Sequence, residues 1–276
     1  MSEHAGVRLV RVRTAAGVFY GVMDDGRVYL VGSRWPWDRP EWAAFLRGNG
    51  ERPHGFPYIG GKEAELLCPV EPGKVVAVGL NYRDHAREVG APLPEEPVLF
   101  LKPASAVVGP GDAIVLPPVS SRVDYEAELA VVMGRRVKHV PVRQALDYVL
   151  GYTCGNDVTA RDLQQKDGQW TRSKSFDTFC PLGPAVAPGL DPSALEVICR
   201  VNGRVCQQGN TRDLIFSVAE LISFISDVMT LEPGDVVLTG TPAGIGPLGP
   251  GDVAEVEVEG VGVLANPVNI AVDTPS

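Results

Sequence analysis

The segment Asp124-Tyr125-Glu126-Ala127-Glu128-Leu129-Ala130-Val131-Val132 constrains this chain more than any other. Carboxylates stand at alternate positions and lead straight into an apolar run. Alternate residues of a β-strand share a face. Read as one strand, the segment crowds Asp124, Glu126 and Glu128 on one side, next to a hydrophobic core. Like charges that close repel, and they cost more as water is withdrawn. Something positive must sit there, and a divalent cation with a preference for hard oxygen ligands is the simplest candidate.

The rest of the chain reads as an α+β protein dominated by strands. Its 276 residues suffice for one large domain, or for a large domain and a small one. Residues 7–12, 17–22 and 28–31 alternate as short strands, with a turn at Asp24-Asp25-Gly26, and predict a β-meander. A Trp- and Pro-rich stretch follows, then Pro72-Gly73. These place a division near residue 70, with a small N-terminal β-domain at 1–70 and the main domain at 71–276. Val75-Val76-Ala77-Val78-Gly79-Leu80 reads as a buried strand. Pro-Gly-Asp turns at 110–112, 233–235 and 250–252 each precede a β-branched stretch, and Asn202-Gly203 is a hairpin turn. Two helices are expected. One carries Val142, Ala145, Leu146 and Val149 at helical spacing; the other opens with the capping box Ser217-Val218-Ala219-Glu220 and runs to about Met229.

Composition excludes some functions. The formal net charge is −9 and there is no basic run, so nucleic acid is not an expected partner. No apolar run approaches the roughly 20 residues of a membrane span, and the N-terminus lacks the plan of a signal peptide. The five cysteines form no Cys-x-x-Cys pair and their number is odd. This argues for reduced thiols in a cytoplasmic protein, without disulfide framework or zinc site.

Further groups suited to chemistry lie outside the acidic segment. Asp157 opens Asp157-Val158-Thr159-Ala160-Arg161-Asp162-Leu163-Gln164. As a helix, this segment sets Asp157, Arg161 and Gln164 on one face, a combination suited to a cation and an anionic substrate. Its plainer alternative is a helix N-cap with a surface arginine. His85 and Glu88 follow the strand at 75–80 and stand one helical turn apart. That spacing suits a carboxylate-oriented general base and equally a surface ion pair. Lys174 is one of only six lysines and lies between Trp170 and Phe176, although a solvated loop lysine is the default for such a position. The Gly/Pro-rich segment Thr239-Gly240-Thr241-Pro242-Ala243-Gly244-Ile245-Gly246-Pro247 follows a strand and can expose N–H groups to a carboxylate or oxyanion.

In order and combination these segments resemble the fumarylacetoacetate hydrolase family. The resemblance rests on Asn81-Tyr82-x-x-His85-x-x-Glu88, Lys102-Pro103, Asp124-Tyr125-Glu126-x-Glu128-Leu129, Asn156-Asp157-x-Thr159-Ala160-Arg161-Asp162, Lys174-Ser175-Phe176-Asp177, Val201-Asn202-Gly203 and Gly240-Thr241-Pro242-Ala243-Gly244-Ile245-Gly246. It covers about residues 72–270. The resemblance implies a mixed β-roll with a variable N-terminal β-domain, usually as a homodimer. It implies Mg²⁺ or Mn²⁺ held by Glu126, Glu128 and Asp157, with Asp124 behind the ligands or a surface charge. It implies catalytic roles for His85, Glu88 and Lys174, and substrate contacts from Arg161, Gln164 and Thr241. Expected substrates are 2-oxo acids, their enols and diketo acids. The expected reaction is isomerisation or decarboxylation of the 2-hydroxyhepta-2,4-diene-1,7-dioate type in aromatic-acid breakdown, with acylpyruvase-like C–C hydrolysis nearly equal. Two other readings stay open: a metal- or 2-oxo-acid-binding protein without turnover, and a structural Ca²⁺ site. The segment 83–96 is a candidate lid over the site.

Overall fold

The computed structural model describes residues 6–24, 26–37, 42, 45–46, 55–60 and 64–271. Asp25, His4 and His54 lie outside them. The fold is strand-rich, as expected, and built from several sheets. A twelve-stranded sheet runs Tyr58–Gly60, Arg27–Gly32, Gly17–Asp24, Arg8–Thr14, Cys180–Ala187, Val149–Asn156, Ala127–Met133, Val236–Leu238, Val75–Gly79, Val98–Lys102. Two short strands, Glu65–Leu67 and Val107–Val108, pair with Arg8–Thr14 and Cys180–Ala187. A three-stranded sheet joins Thr159–Ala160, Val123–Tyr125 and Gly246–Pro247. A five-stranded sheet contains the hairpin Glu196–Val201 and Arg204–Asn210, then Val253–Val258, Gly262–Ile270 and Ile114–Leu116.

The central strands are apolar along their whole length because both of their faces are covered. Ala127–Met133 is buried at every position. Leu129, Val131 and Met133 enter one core with Val76 and Val78, while Ala130 and Val132 enter a second core with Val75 and Ala77. Each of the valine, leucine and methionine side chains contributes about 1.5–3 kcal/mol when fully buried, and a strand buried on both faces reads as a continuous apolar run. Val236–Leu238 lies parallel to Val75–Gly79 and antiparallel to Ala127–Met133. It thereby brings the chain end of the Gly/Pro-rich segment beside the acidic one. The turn before it is tied down by Asp235, whose carboxylate accepts from the Lys74 ammonium and from Glu232 N.

The three-strand meander forms as the alternation predicts. So does the capped helix, Val218–Val228: Ser217 Oγ accepts from Glu220 N and Glu220 Oε2 accepts from Ser217 N at 2.8 Å. The helix expected across 142–149 is corrected. Only Val142–Ala145 is α-helical; a 3₁₀ turn, Leu146–Tyr148, follows, and Val149 already begins a strand. Val142 and Leu146 are exposed, so the apolar periodicity marks no buried face, and pairing with Ala127–Met133 takes the chain from Val149 onward. All five cysteines are free thiols. No helix among the described residues is long and apolar enough to cross a membrane.

Candidate active site

The acidic segment is not one strand. Val123–Tyr125 belongs to the three-stranded sheet and Ala127–Met133 to the large one, so Glu126 sits where the chain changes sheets. The expected common face of Asp124, Glu126 and Glu128 is therefore broken after Tyr125. The third carboxylate arrives through strand register. Ala127 opposes Asn156 and Glu128 opposes Gly155, which sets Asp157 beside Glu126. Asn156 Oδ1 accepts from Glu126 N at 3.0 Å, and Asp157 N donates to Glu126 O at 2.9 Å, clipping the two segments together. Carboxylate oxygens of Glu126, Glu128 and Asp157 lie within 4.8 Å of one another, all buried. Asp124 is not a surface charge: it is fully buried and paired with Arg122 and Arg161.

Two lysines brace this triad. Lys174 Nζ donates to Glu126 Oε2 at 2.9 Å and to Asp157 Oδ2 at 2.6 Å, and Lys102 Nζ donates to Asp157 Oδ1 at 2.6 Å. Lys174 is thus a buried ammonium rather than a solvated loop residue. Burial works against its charge, but Asp157 and Glu126 outweigh that and hold its pKa above the ordinary lysine value. Burial likewise opposes ionisation of Glu126, yet Lys174 and Arg161 bring its pKa below the usual carboxylate range. Glu128 differs. It accepts one N–H, from Gly240 at 2.7 Å, and no described cation forms a salt bridge with it. Burial, then the charges of Asp157 and Glu126, push its pKa well above the carboxylate range. An uncompensated buried carboxylate facing two others, all hard oxygen donors, fits a divalent cation.

The His85–Glu88 pair stands on a different element. Helix Arg83–Glu88 follows the parallel strand, and Asn81 pins its start: Asn81 Nδ2 donates to Thr239 O at 2.8 Å and to Phe216 O at 3.0 Å. His85 Nδ1 lies 3.0 Å from Glu88 Oε2, and the ring is buried. A proton on Nδ1, held by Glu88, leaves Nε2 as the basic nitrogen. The other Glu88 oxygen accepts from Gly244 N at 2.9 Å, and Asp84 Oδ2 accepts from Ala243 N at 3.4 Å. The N–H groups of the Gly/Pro-rich segment do hold carboxylates, and the three they hold, of Glu128, Asp84 and Glu88, belong to the protein itself. Gly240 has φ +100, and a Cβ there would meet Asn81 Cβ at 2.7 Å, so this approach requires glycine.

His85, Glu126, Glu128, Asp157, Lys174 and Thr241 all line one pocket of about 320 Å³, as do Arg161 and Gln164. Glu88 alone of the expected site residues does not line it; it reaches the pocket through His85. Asp157 does not start a helix. The helix is Arg161–Asp167, and Asp157 precedes the short strand Thr159–Ala160, so sheet pairing rather than helical spacing brings it near Arg161. Arg161 Nη1 donates to Gln164 Oε1 at 2.7 Å. The Thr241 hydroxyl donates to Ala127 O at 2.9 Å and accepts from Gln207 Nε2 at 2.8 Å.

Sequence reasoning gave no role to Lys102, Gln207, Phe100 or Trp170. Lys102 carried a signal: a lysine ending the apolar strand Val98–Lys102 implies a buried partner. Gln207, which also accepts from Ala127 N at 2.9 Å, carried none. Phe100 and Trp170 form the apolar wall, their rings 5.3 Å apart edge to face, with Lys174 Nζ 5.0 Å from the Phe100 ring centre.

Residues 74–269 match the family described as Fumarylacetoacetate (FAA) hydrolase C-terminal. An uncharacterised protein of Archaeoglobus fulgidus is 61% identical over 202 residues, covering 73% of this chain and 81% of the relative. A mitochondrial oxaloacetate tautomerase of Homo sapiens is 47% identical over 226 residues, covering 77% of this chain and 72% of the relative. The crystal structure of a 2-hydroxyhepta-2,4-diene-1,7-dioate isomerase from Mycobacterium marinum superposes with a TM-score of 0.84 at 40% identity, covering 96% of this chain and 99% of that one.

Proposed function

The chain belongs to the fumarylacetoacetate hydrolase family, and from that membership we propose that it is a metal-dependent proton-transfer enzyme, a tautomerase or isomerase of 2-oxo acids and their enols. The observation that carries this reading is that a buried histidine, oriented by Glu88, opens on the same pocket as the carboxylate triad. The names of the relatives, an oxaloacetate tautomerase and a dienedioate isomerase, describe reactions of this type.

Glu126, Glu128 and Asp157 would hold Mg²⁺ or Mn²⁺, which supplies a Lewis acid for the oxo and carboxylate oxygens of the substrate. His85 Nε2 takes a proton from the carbon next to the oxo group. The C–H pair becomes a C–C double bond, and the carbonyl pair moves to oxygen. Glu88 stabilises the imidazolium that results. Lys174, charged and on the pocket wall, stabilises the negative oxygen. Return of the proton to carbon at a different position gives isomerisation; delivery to oxygen gives the enol. Phe100 and Trp170 limit the water that reaches the site.

The test is turnover by purified, Mg²⁺-loaded protein on the oxaloacetate enol, a hydroxymuconate-type diene acid and acetylpyruvate, each with and without chelator. Metal-dependent interconversion of the first or second is the expected result. Bound metal with no turnover on any of the three defeats the proposal. Cleavage of acetylpyruvate without interconversion replaces it by the C–C hydrolase reading.

A further inference from the structure

Asp124 is buried beside the pocket, yet it neither lines it nor belongs to the triad. Both of its oxygens are taken up by arginines. Oδ1 accepts from Arg122 Nε at 2.9 Å; Oδ2 accepts from Arg161 Nε at 3.0 Å and from Arg122 Nη2 at 3.2 Å. The Arg122 side chain is 52% exposed, so water screens that pair, whereas the Arg161 side chain is only 13% exposed. The buried bond, to Arg161, is the one that matters.

Arg161 lines the pocket, and its guanidinium has five N–H donors. Nε is spent on Asp124, one Nη1 hydrogen on Gln164 and one Nη2 hydrogen on Glu126. Two hydrogens remain, one on each terminal nitrogen. A guanidinium held at Nε cannot rotate in its own plane, so the direction of those two hydrogens is set before any ligand arrives. Arginine binds carboxylates best through such planar paired donation. We propose that Asp124 is a positioning residue: it fixes Arg161 so that its two free N–H groups recognise the carboxylate of a 2-oxo acid. The inference rests on the proposed function, from which it takes the class of substrate. It also explains why a carboxylate lies so close to the triad without facing it.

Calorimetric titration separates this role from a structural one. Mg²⁺ alone is titrated first, then oxalate into Mg²⁺-saturated protein. The proteins are native, Asp124→Asn, Arg161→Ala, the double variant, and Arg122→Ala. For Asp124→Asn the expected result is near-native Mg²⁺ affinity with oxalate binding weaker by about tenfold, or about 1.4 kcal/mol. The double variant is expected to bind oxalate no more weakly than Arg161→Ala, because Asp124 acts through Arg161. Arg122→Ala is expected to bind oxalate as the native protein does. In turnover, Asp124→Asn raises KM and leaves kcat close to native. Where Asp124→Asn does not fold, Asp124→Glu, which keeps the charge but displaces it, takes its place with the same expectation. A parallel loss of Mg²⁺ and oxalate affinity overturns the inference, and so do fully additive losses in the double variant. Native protein that binds Mg²⁺ but ignores oxalate overturns this inference together with the proposed function; native binding with additive variants overturns this inference alone.

Discussion

The two sides of the pocket are built to different standards. On the carboxylate side, Glu126 and Asp157 sit at the ends of buried strands, gripped by Lys102, Lys174 and Arg161, with each carboxylate oxygen of the pair engaged. On the histidine side, His85 rides on a helix of six residues, held to the Gly/Pro-rich segment by Glu88 and Asp84. Under the proposed function, the contrast separates two tasks. A cation site gains from ligands that cannot relax, because like charges held together create the demand for the ion. A base must meet a proton on a substrate that enters and leaves, so it belongs on an element that can open locally at low cost.

Removing one ligand tests the rigid side with the largest effect. Glu128→Gln should abolish the calorimetric Mg²⁺ signal and bring turnover down to the uncatalysed rate. Above the raised pKa of Glu128, where the same change removes a buried charge, the metal-free variant should melt higher than the metal-free native protein. His85→Ala should lower kcat by about 10²- to 10⁴-fold, the range for a lost general base, while Mg²⁺ affinity stays native. A joint loss of both would mean that the two sides are not separate. Glu88→Gln should cost less. It retains an acceptor for Gly244 N but loses a hydrogen bond to a charged ring, worth about 1.5–3 kcal/mol, so kcat should fall roughly 10- to 100-fold.

Protons and Mg²⁺ should compete on the rigid side. The Glu128 pKa is raised in the folded protein. Its contribution to stability is therefore complete below the unfolded carboxylate value and is lost as pH rises through the raised one. Metal-free protein should lose stability over that window, above the ordinary carboxylate range. The stabilisation produced by Mg²⁺ should grow there, toward about 2.7 kcal/mol when Mg²⁺ is a hundredfold above its Kd. A stabilisation independent of pH would assign the raised proton affinity elsewhere. The smallest change tests the wall between the sides. A Cβ on Gly79 would meet Trp170 Cζ3 at 2.4 Å. Gly79→Ala should then cost about 1–3 kcal/mol in denaturant unfolding, as overpacking does, with a higher KM.

Much of this was legible because charge and apolarity leave strong patterns. Glu126-x-Glu128 running into an apolar strand announces buried like charges whatever the topology, and Ser217-x-x-Glu220 announces a helix start from local bonding alone. What escaped depends on distant partners. That Asp124 turns away from Glu126 follows from a change of sheet at Glu126, set by pairing with Thr159–Ala160 and Asn156. Local spacing also suggested a helix from Asp157, where the strand partners of Thr159–Ala160 prevailed. Gln207 meets Ala127, Thr241 and Pro242 only through the folded hairpin, so no local pattern could mark it.

The placement of Val236–Leu238 between Ala127–Met133 and Val75–Gly79 bears on how the protein is made. A ribosome that has finished residue 230 has already produced both lysines, the histidine and all three carboxylates of the triad. Yet Ala127–Met133 and Val75–Gly79 still lack the strand that joins them. Until that late strand emerges, each presents an open edge able to pair with another chain. Synthesis of Val236–Leu238 is thus the step that closes both open edges, and the carboxylate triad is complete only when Gly240 follows to donate to Glu128.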